Sequence, residues 1–235
     1  MKISTFVVIL IISIQLSAQN KDSLDLLQDI LQPISTETIE NLYKPNYPDG
    51  IYLSKLDFLR KRPSSVALIT PFKKNEIVEP DNDSIYLNCF FYHINTNKMI
   101  RNVFAVSFKG HLFFQIRSVL NNRNTKDRAQ KADYPNLFAR VIIGGDNYLY
   151  TETELSNLWA SNIALFFGGI GDEIANEVTR NKGFVWDIKK QEFNIFKSCK
   201  DYNKFIENLY PLGIQACETQ QPDLEFIRKA MNAIK

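Results

Sequence analysis

Two histidines, three cysteines and scattered acidic side chains are the residues of this 235-residue chain whose types could do chemistry. His93 and His111 each lack a second histidine three or four residues away, the spacing that sets two ring nitrogens on one helical face for a metal. A metal pair would have to form across adjacent hairpins with a carboxylate such as Asp81 or Asp146; the plain alternative is two surface or strand-end histidines. Glu173 and Glu177 stand one helical turn apart and could share a face with Arg180. A paired-carboxylate hydrolase would need them in a cleft; the other reading is a solvated helix surface. No Gly-x-Ser-x-Gly elbow presents a nucleophilic serine. The segment 163–171 holds Gly168, Gly169 and Gly171, yet it lacks the Lys-Ser/Thr of a phosphate loop and the dinucleotide spacing. It reads as closely packed backbone, or as an apolar interaction patch built from Leu165, Phe166, Phe167 and Ile170. No set of residues specifies a catalytic centre, a metal site or a bound cofactor.

Location is better marked. Met1-Lys2 gives one positive charge, an apolar run follows from Phe6 to Leu16, and Ser17-Ala18 are small before the chain turns polar. A basic start, about 7–15 apolar residues and a small-residue end form a secretory signal. The run is well short of the ~20 residues that cross a bilayer. Residues 1–19 are therefore expected to be removed on export. No cysteine lies near the junction, so a lipid anchor on an N-terminal cysteine is excluded, and the mature chain is expected free in the periplasm or outside the cell. In such an oxidising compartment Cys199 and Cys217, which flank a helix, are the pair to test first as a disulfide. Cys89 sits in an apolar run and reads as a buried thiol. Three reduced cysteines is the competing reading.

Charge excludes one class of partner. The chain carries 28 basic and 26 acidic side chains, a formal +2, and losing Lys2 with the leader takes one charge off. The two signs are mixed, so no electrostatic footprint for nucleic acid exists. The densest basic stretch, 121–131 with Arg123, Lys126, Arg128 and Lys131, reads as a solvated loop.

The elements that must position any site follow from periodicity. Residues 20–235 are expected to form one α+β domain, with 45% hydrophobic residues, seventeen Phe and ten Tyr to fill its core. A helical N-terminal segment, 22–62, places Leu24, Leu27, Ile30 and Leu31 on one face. The β-rich body, 66–197, contains strand-like runs at 66–72, 85–94, 99–108, 112–117, 137–143, 148–150, 184–188 and 193–196. Short breaks at Asn95-Thr96-Asn97-Lys98, Lys109-Gly110, Gly144-Gly145-Asp146-Asn147 and Lys189-Lys190-Gln191-Glu192 require antiparallel neighbours. The expectation is a meandering antiparallel β-sheet of about seven or eight strands. A helical C-terminal segment, 200–235, closes the chain, with Pro222 in the first turn of its last helix.

The most distinctive stretch is Gly50-Ile51-Tyr52-Leu53-Ser54-Lys55-Leu56-Asp57-Phe58-Leu59, ahead of Lys61-Arg62-Pro63-Ser64. Ser54 and Asp57 are three apart before an apolar helical pattern, the arrangement of a capping box: the hydroxyl accepts from the Asp57 amide, and the carboxylate reaches back to the Ser54 amide. A catalytic serine here would lack a base. The stretch resembles a motif of uncharacterised exported proteins of Bacteroidota, a domain of unknown function. That resemblance implies a β-rich body after the motif and an exported protein. It implies no activity.

Three functions remain open: a non-enzymatic envelope module, binding or structural; an envelope-polymer hydrolase using carboxylates from separate strands; and a peripheral membrane or partner-binding protein acting through 163–170. A glycan, peptide, lipid or protein of the envelope is the expected partner class for the first.

Overall fold

The computed structural model describes residues 43–72, 86–157 and 179–235. The leader, the helix expected from residue 22, Asp81, Glu173, Glu177 and the 163–170 patch lie outside them. Within them are eleven strands: β1 (Gly50–Tyr52), β2 (Ile69–Phe72), β3 (Asn88–His93), β4 (Lys98–Met99), β5 (Ala105–Phe108), β6 (His111–Gln115), β7 (Gln130–Lys131), β8 (Phe138–Gly144), β9 (Tyr148–Asn157), β10 (Thr179–Asp187) and β11 (Glu192–Ile195). Four α-helices accompany them: α1 (Lys55–Leu59), α2 (Ile116–Asn121), α3 (Cys199–Ile206) and α4 (Leu224–Ile234).

Every pairing between these strands is antiparallel, as the short turns require. Seven strands run in the order β1-β5-β6-β8-β9-β10-β11 and curl into a half-barrel. The curl is visible in its contents. Phe104, just before β5, lies 6.1 Å from Phe193 of β11 and 5.4 Å from Trp186 of β10, although those strands are far apart along the sheet. Tyr52, Phe58, Phe114 and Trp186 share this inner core. The outer face is covered twice. Strands β2–β4 fold over Val106, Phe113 and Phe138. Helices α3 and α4 cover Tyr150 and Val185 with Tyr202, Ile206, Ile227 and Met231. All five residues of β6 are buried because both of its faces are covered.

Several sequence expectations change in detail. The run 99–108 is not one strand: Asn102 takes φ 56°, a left-handed conformation that Asn tolerates, and the chain breaks between β4 and β5. The Gln115 side chain then replaces a neighbouring strand there, accepting from Val103 N at 3.1 Å and donating to Ile100 O at 3.4 Å. The run 112–117 turns helical at Ile116, because Ile116 and Val119, three apart, both reach the core. Strands β9 and β10 are longer than expected, since polar residues such as Thr151, Thr153 and Lys182 occupy inward positions and hide the apolar alternation. The basic stretch 121–131 is not simply solvated. It forms a 3-10 turn at Thr125–Asp127 and then β7, and its Asp127 is buried. The last helix starts one residue later than Pro222 suggests, with Asp223 as the cap accepting from the Glu225 and Phe226 amides.

Candidate functional site

The distinctive stretch at 50–64 folds as a self-contained bracket. Ser54 Oγ accepts from Asp57 N at 3.1 Å, and Asp57 Oδ2 accepts from Ser54 N at 3.1 Å, Ser54 Oγ at 2.6 Å and Ser64 Oγ at 2.7 Å. These bonds hold the Asp57 carboxyl below the usual range, the two serine hydroxyls contributing most. Gly50 lets the two ends of the bracket touch: at φ +146° a Cβ there would meet Pro63 Cβ and Ser65 O, each at 2.7 Å. Tyr52 and Phe58 turn into the inner core, and Tyr52 O accepts from Phe104 N at 2.8 Å. The role of Ser54 and Asp57 is to cap α1 and tie it to Ser64.

What the bracket presents outward is Lys55, at the start of α1. It lines a pocket of about 240 Å³ together with Asn102, Gln115, Arg117, Ser118 and Asn121. Gln115 is committed to Val103 and Ile100, which sets the pocket floor. Arg117 is placed where β6 passes into α2, its backbone N–H held by Pro135 O at 2.8 Å. Its Nε is buried and has no acceptor among the described residues. No carboxylate lines the pocket, and neither Lys55 nor Arg117 forms an ion pair with a described residue. Ser118 accepts from Asn122 Nδ2 at 3.4 Å and has no histidine or carboxylate beside it, so it is not an activated nucleophile. Two cations and several amides can recognise an anionic or polyhydroxylated group; they cannot supply acid–base chemistry near neutral pH.

No family model matches the sequence, and no curated protein or solved structure is similar to it. The site must therefore be judged on its own geometry.

A second concavity, about 360 Å³, lies between the 122–128 loop, β11 and α3. Asp201 and Glu207 both line it, with Lys126, Lys190 and Lys204. Asp201 is occupied by the Lys197 backbone and ammonium, at 3.3 and 3.6 Å. Behind it, buried Asp127 accepts from Ile195 N at 2.8 Å and from Lys197 Nζ at 2.5 Å. Burial pushes the Asp127 carboxyl up, more than these bonds draw it down. This network pins the loop to β11.

The remaining reactive residues are dispersed. His93 ends β3 beside Lys98, and His111 begins β6 opposite Phe108. His111 is buried, contrary to its expected place at the surface, and its Nδ1 has no described partner. It shares the outer face of the sheet with Arg140 and Cys89, in register with Phe113 and Phe138. Among the described residues no three His, Cys, Asp or Glu side chains gather as a metal site. None of the described helices is long and apolar enough to cross a membrane. Cys199 and Cys217 are joined by a disulfide, and Cys89 is a buried free thiol.

Lys55, Asn102, Arg117 and Asn121 were not singled out from the sequence. Lys55 stands inside the distinctive stretch, between Ser54 and Asp57, and that placement was the one available signal.

Proposed function

We propose that this chain is an exported, non-enzymatic binding module that takes an anionic group of an envelope component, such as an acidic sugar, at the Lys55–Arg117 pocket. The observation that carries the reading is a concavity with two cations, three asparagines and no carboxylate, built on a bracket that has no other evident purpose. The leader-like first nineteen residues support export, and so does the disulfide, which persists in oxidising compartments. The volume falls just below the roughly 300 Å³ at which drug-sized ligand sites begin. One acidic ring or terminal group therefore enters, and the rest of the ligand runs across the surface.

Calorimetric titration with a uronate-containing disaccharide and its neutral counterpart tests this. The acidic sugar should bind and the neutral one should not. Lys55→Ala and Arg117→Ala should each weaken binding about tenfold, the loss of one charge-assisted contact. Equal binding of both sugars, or no effect of either variant, would remove the reading. The experiment also separates it from a hydrolase, because intact disaccharide must be recovered.

A further inference from the structure

The inner face of the half-barrel changes character along β9 and β10. Around Trp186 it is a pile of aromatic rings. Toward the other end it becomes polar. Lys182 lies directly opposite Thr153, Thr151 lies opposite Phe184, and β7 places Gln130 beside the end of β9. These four side chains are 4, 1, 0 and 3% exposed for Lys182, Thr153, Thr151 and Gln130. Lys182 Nζ donates to Gln130 Oε1 at 2.7 Å. Among the described residues nothing pairs with Gln130 Nε2, Thr151 Oγ1 or Thr153 Oγ1.

The charges that act on Lys182 are the wrong sign for a structural ion pair. Arg180 and Lys197 are both cations, and the Lys197 ammonium is already bound to Asp127. Burial, followed by those two neighbours, draws the Lys182 ammonium down to about 8, so it stays charged at neutral pH. An ammonium taken from water and given one neutral acceptor costs several kcal/mol that no partner here returns. Three further hydrogen-bonding groups within the same inward patch are also left without partners.

We propose that Lys182, Thr151, Thr153 and Gln130 form a second ligand site, a receptor for the carboxylate of a small organic acid on the inner face of the half-barrel. One fixed positive charge and three neutral donors match a monoanion. A phosphate dianion would bring a negative charge with nothing to balance it. Carboxylate oxygens accept from the ammonium, the two hydroxyls and the Gln130 amide, which satisfies each unpartnered group. Leu155 and Phe184, in neighbouring inward positions, face the rest of the acid.

The test is thermal unfolding and calorimetry of the full chain with octanoate, an acetylated dipeptide acid and glucuronate, each beside its amide. These arms separate an acyl acid, a peptide terminus and a sugar acid as the source. At least one acid should bind and raise the midpoint while its amide does not. Lys182→Met should abolish that shift without lowering the midpoint of the ligand-free protein, because it removes an unbalanced buried charge. Thr153→Val should weaken binding severalfold, and it decides the matter if the methionine variant does not fold. A Lys55→Ala, Arg117→Ala double variant should bind the acid normally, which keeps this site distinct from the surface pocket. The proposal is overturned if no acid stabilises the protein more than its amide. It is equally overturned if Lys182→Met folds and still binds, or if Thr153→Val binds as tightly as the parent.

Discussion

Arg228 of the last helix grips Glu152 of β9 with two hydrogen bonds, Nε to Oε1 at 2.8 Å and Nη2 to Oε2 at 2.6 Å. Tyr150 donates to the same Oε1 at 2.8 Å, and burial, with Glu152 next to it, pushes its hydroxyl well above the ordinary range. Gly183 on β10 makes room, since a Cβ there would stand 2.5 Å from the Tyr150 oxygen. The three side chains fasten α4 to the outer face of the sheet. Arg228→Ala should cost about 2–3 kcal/mol, below the range for a fully buried pair because the arginine is half exposed. Urea denaturation checks this, and a Glu152→Gln, Arg228→Ala cycle should show strong coupling. A loss within ±0.5 kcal/mol would mean that the grip contributes nothing.

Acid sensitivity should trace to His111. Its imidazole is drawn down from 6.5 to about 4, first by burial, then by the charges of Arg140 and Lys44, with Asp49 opposing. Between these values the unfolded chain holds the proton and the folded chain does not, so stability falls as pH drops from 6.5 toward 4. The loss should reach roughly 2–3 kcal/mol near pH 4.5. His111→Phe, which suits a position opposite Phe108, should flatten that limb. Parallel curves for parent and variant across this window would assign the acid sensitivity elsewhere.

The parts legible in the sequence are those governed by local chemistry. The turns at Lys109-Gly110 and at Lys189-Lys190-Gln191-Glu192, the Ser54–Asp57 box and the antiparallel order all follow from neighbours within a few residues. What escaped depends on distant partners. Asp127 looks like a loop residue until Ile195 and Lys197, about 70 positions away, draw it inside. Lys182 and Thr153 read as solvent-facing polar residues, and only the curl of the sheet turns them inward. The surface pocket brings together Lys55, Asn102 and Arg117 from three separate elements, so no spacing in the chain announces it.

The bracket at 50–64 should be fragile at its contact point. Gly50→Ala forces a methyl against Pro63 and Ser65 O in a backbone region that alanine avoids, so a loss of more than about 2 kcal/mol is expected. Asp57→Ala should cost about 1–2 kcal/mol by removing the cap. Asp57→Asn should cost less, since one amide oxygen still accepts. Thermal midpoints in the order parent, asparagine, alanine support the bracket; equal midpoints for both Asp57 variants would show that its charge and acceptors are idle.

The disulfide should stabilise the C-terminal segment without being its sole support. Cys199 opens α3 and Cys217 lies eighteen residues on, so the bridge closes a loop worth at most about 3 kcal/mol of chain entropy. The same loop is held by Tyr202, whose hydroxyl donates to Gly213 O at 2.9 Å. Asn203 also donates to Gln215 O at 2.8 Å and accepts from Gln215 N at 2.9 Å. A Cys199→Ser, Cys217→Ser double variant should therefore fold, with stability lowered by about 2 kcal/mol. Burial pushes the Cys89 thiol up and shields it, so it should resist alkylation in the native state. Mass spectrometry after labelling should find no modification in the native oxidised chain, two added groups after mild reduction, and a third only on unfolding. Rapid labelling of one thiol before any reductant would place Cys89 at the surface and contradict the packing of β3 against β8.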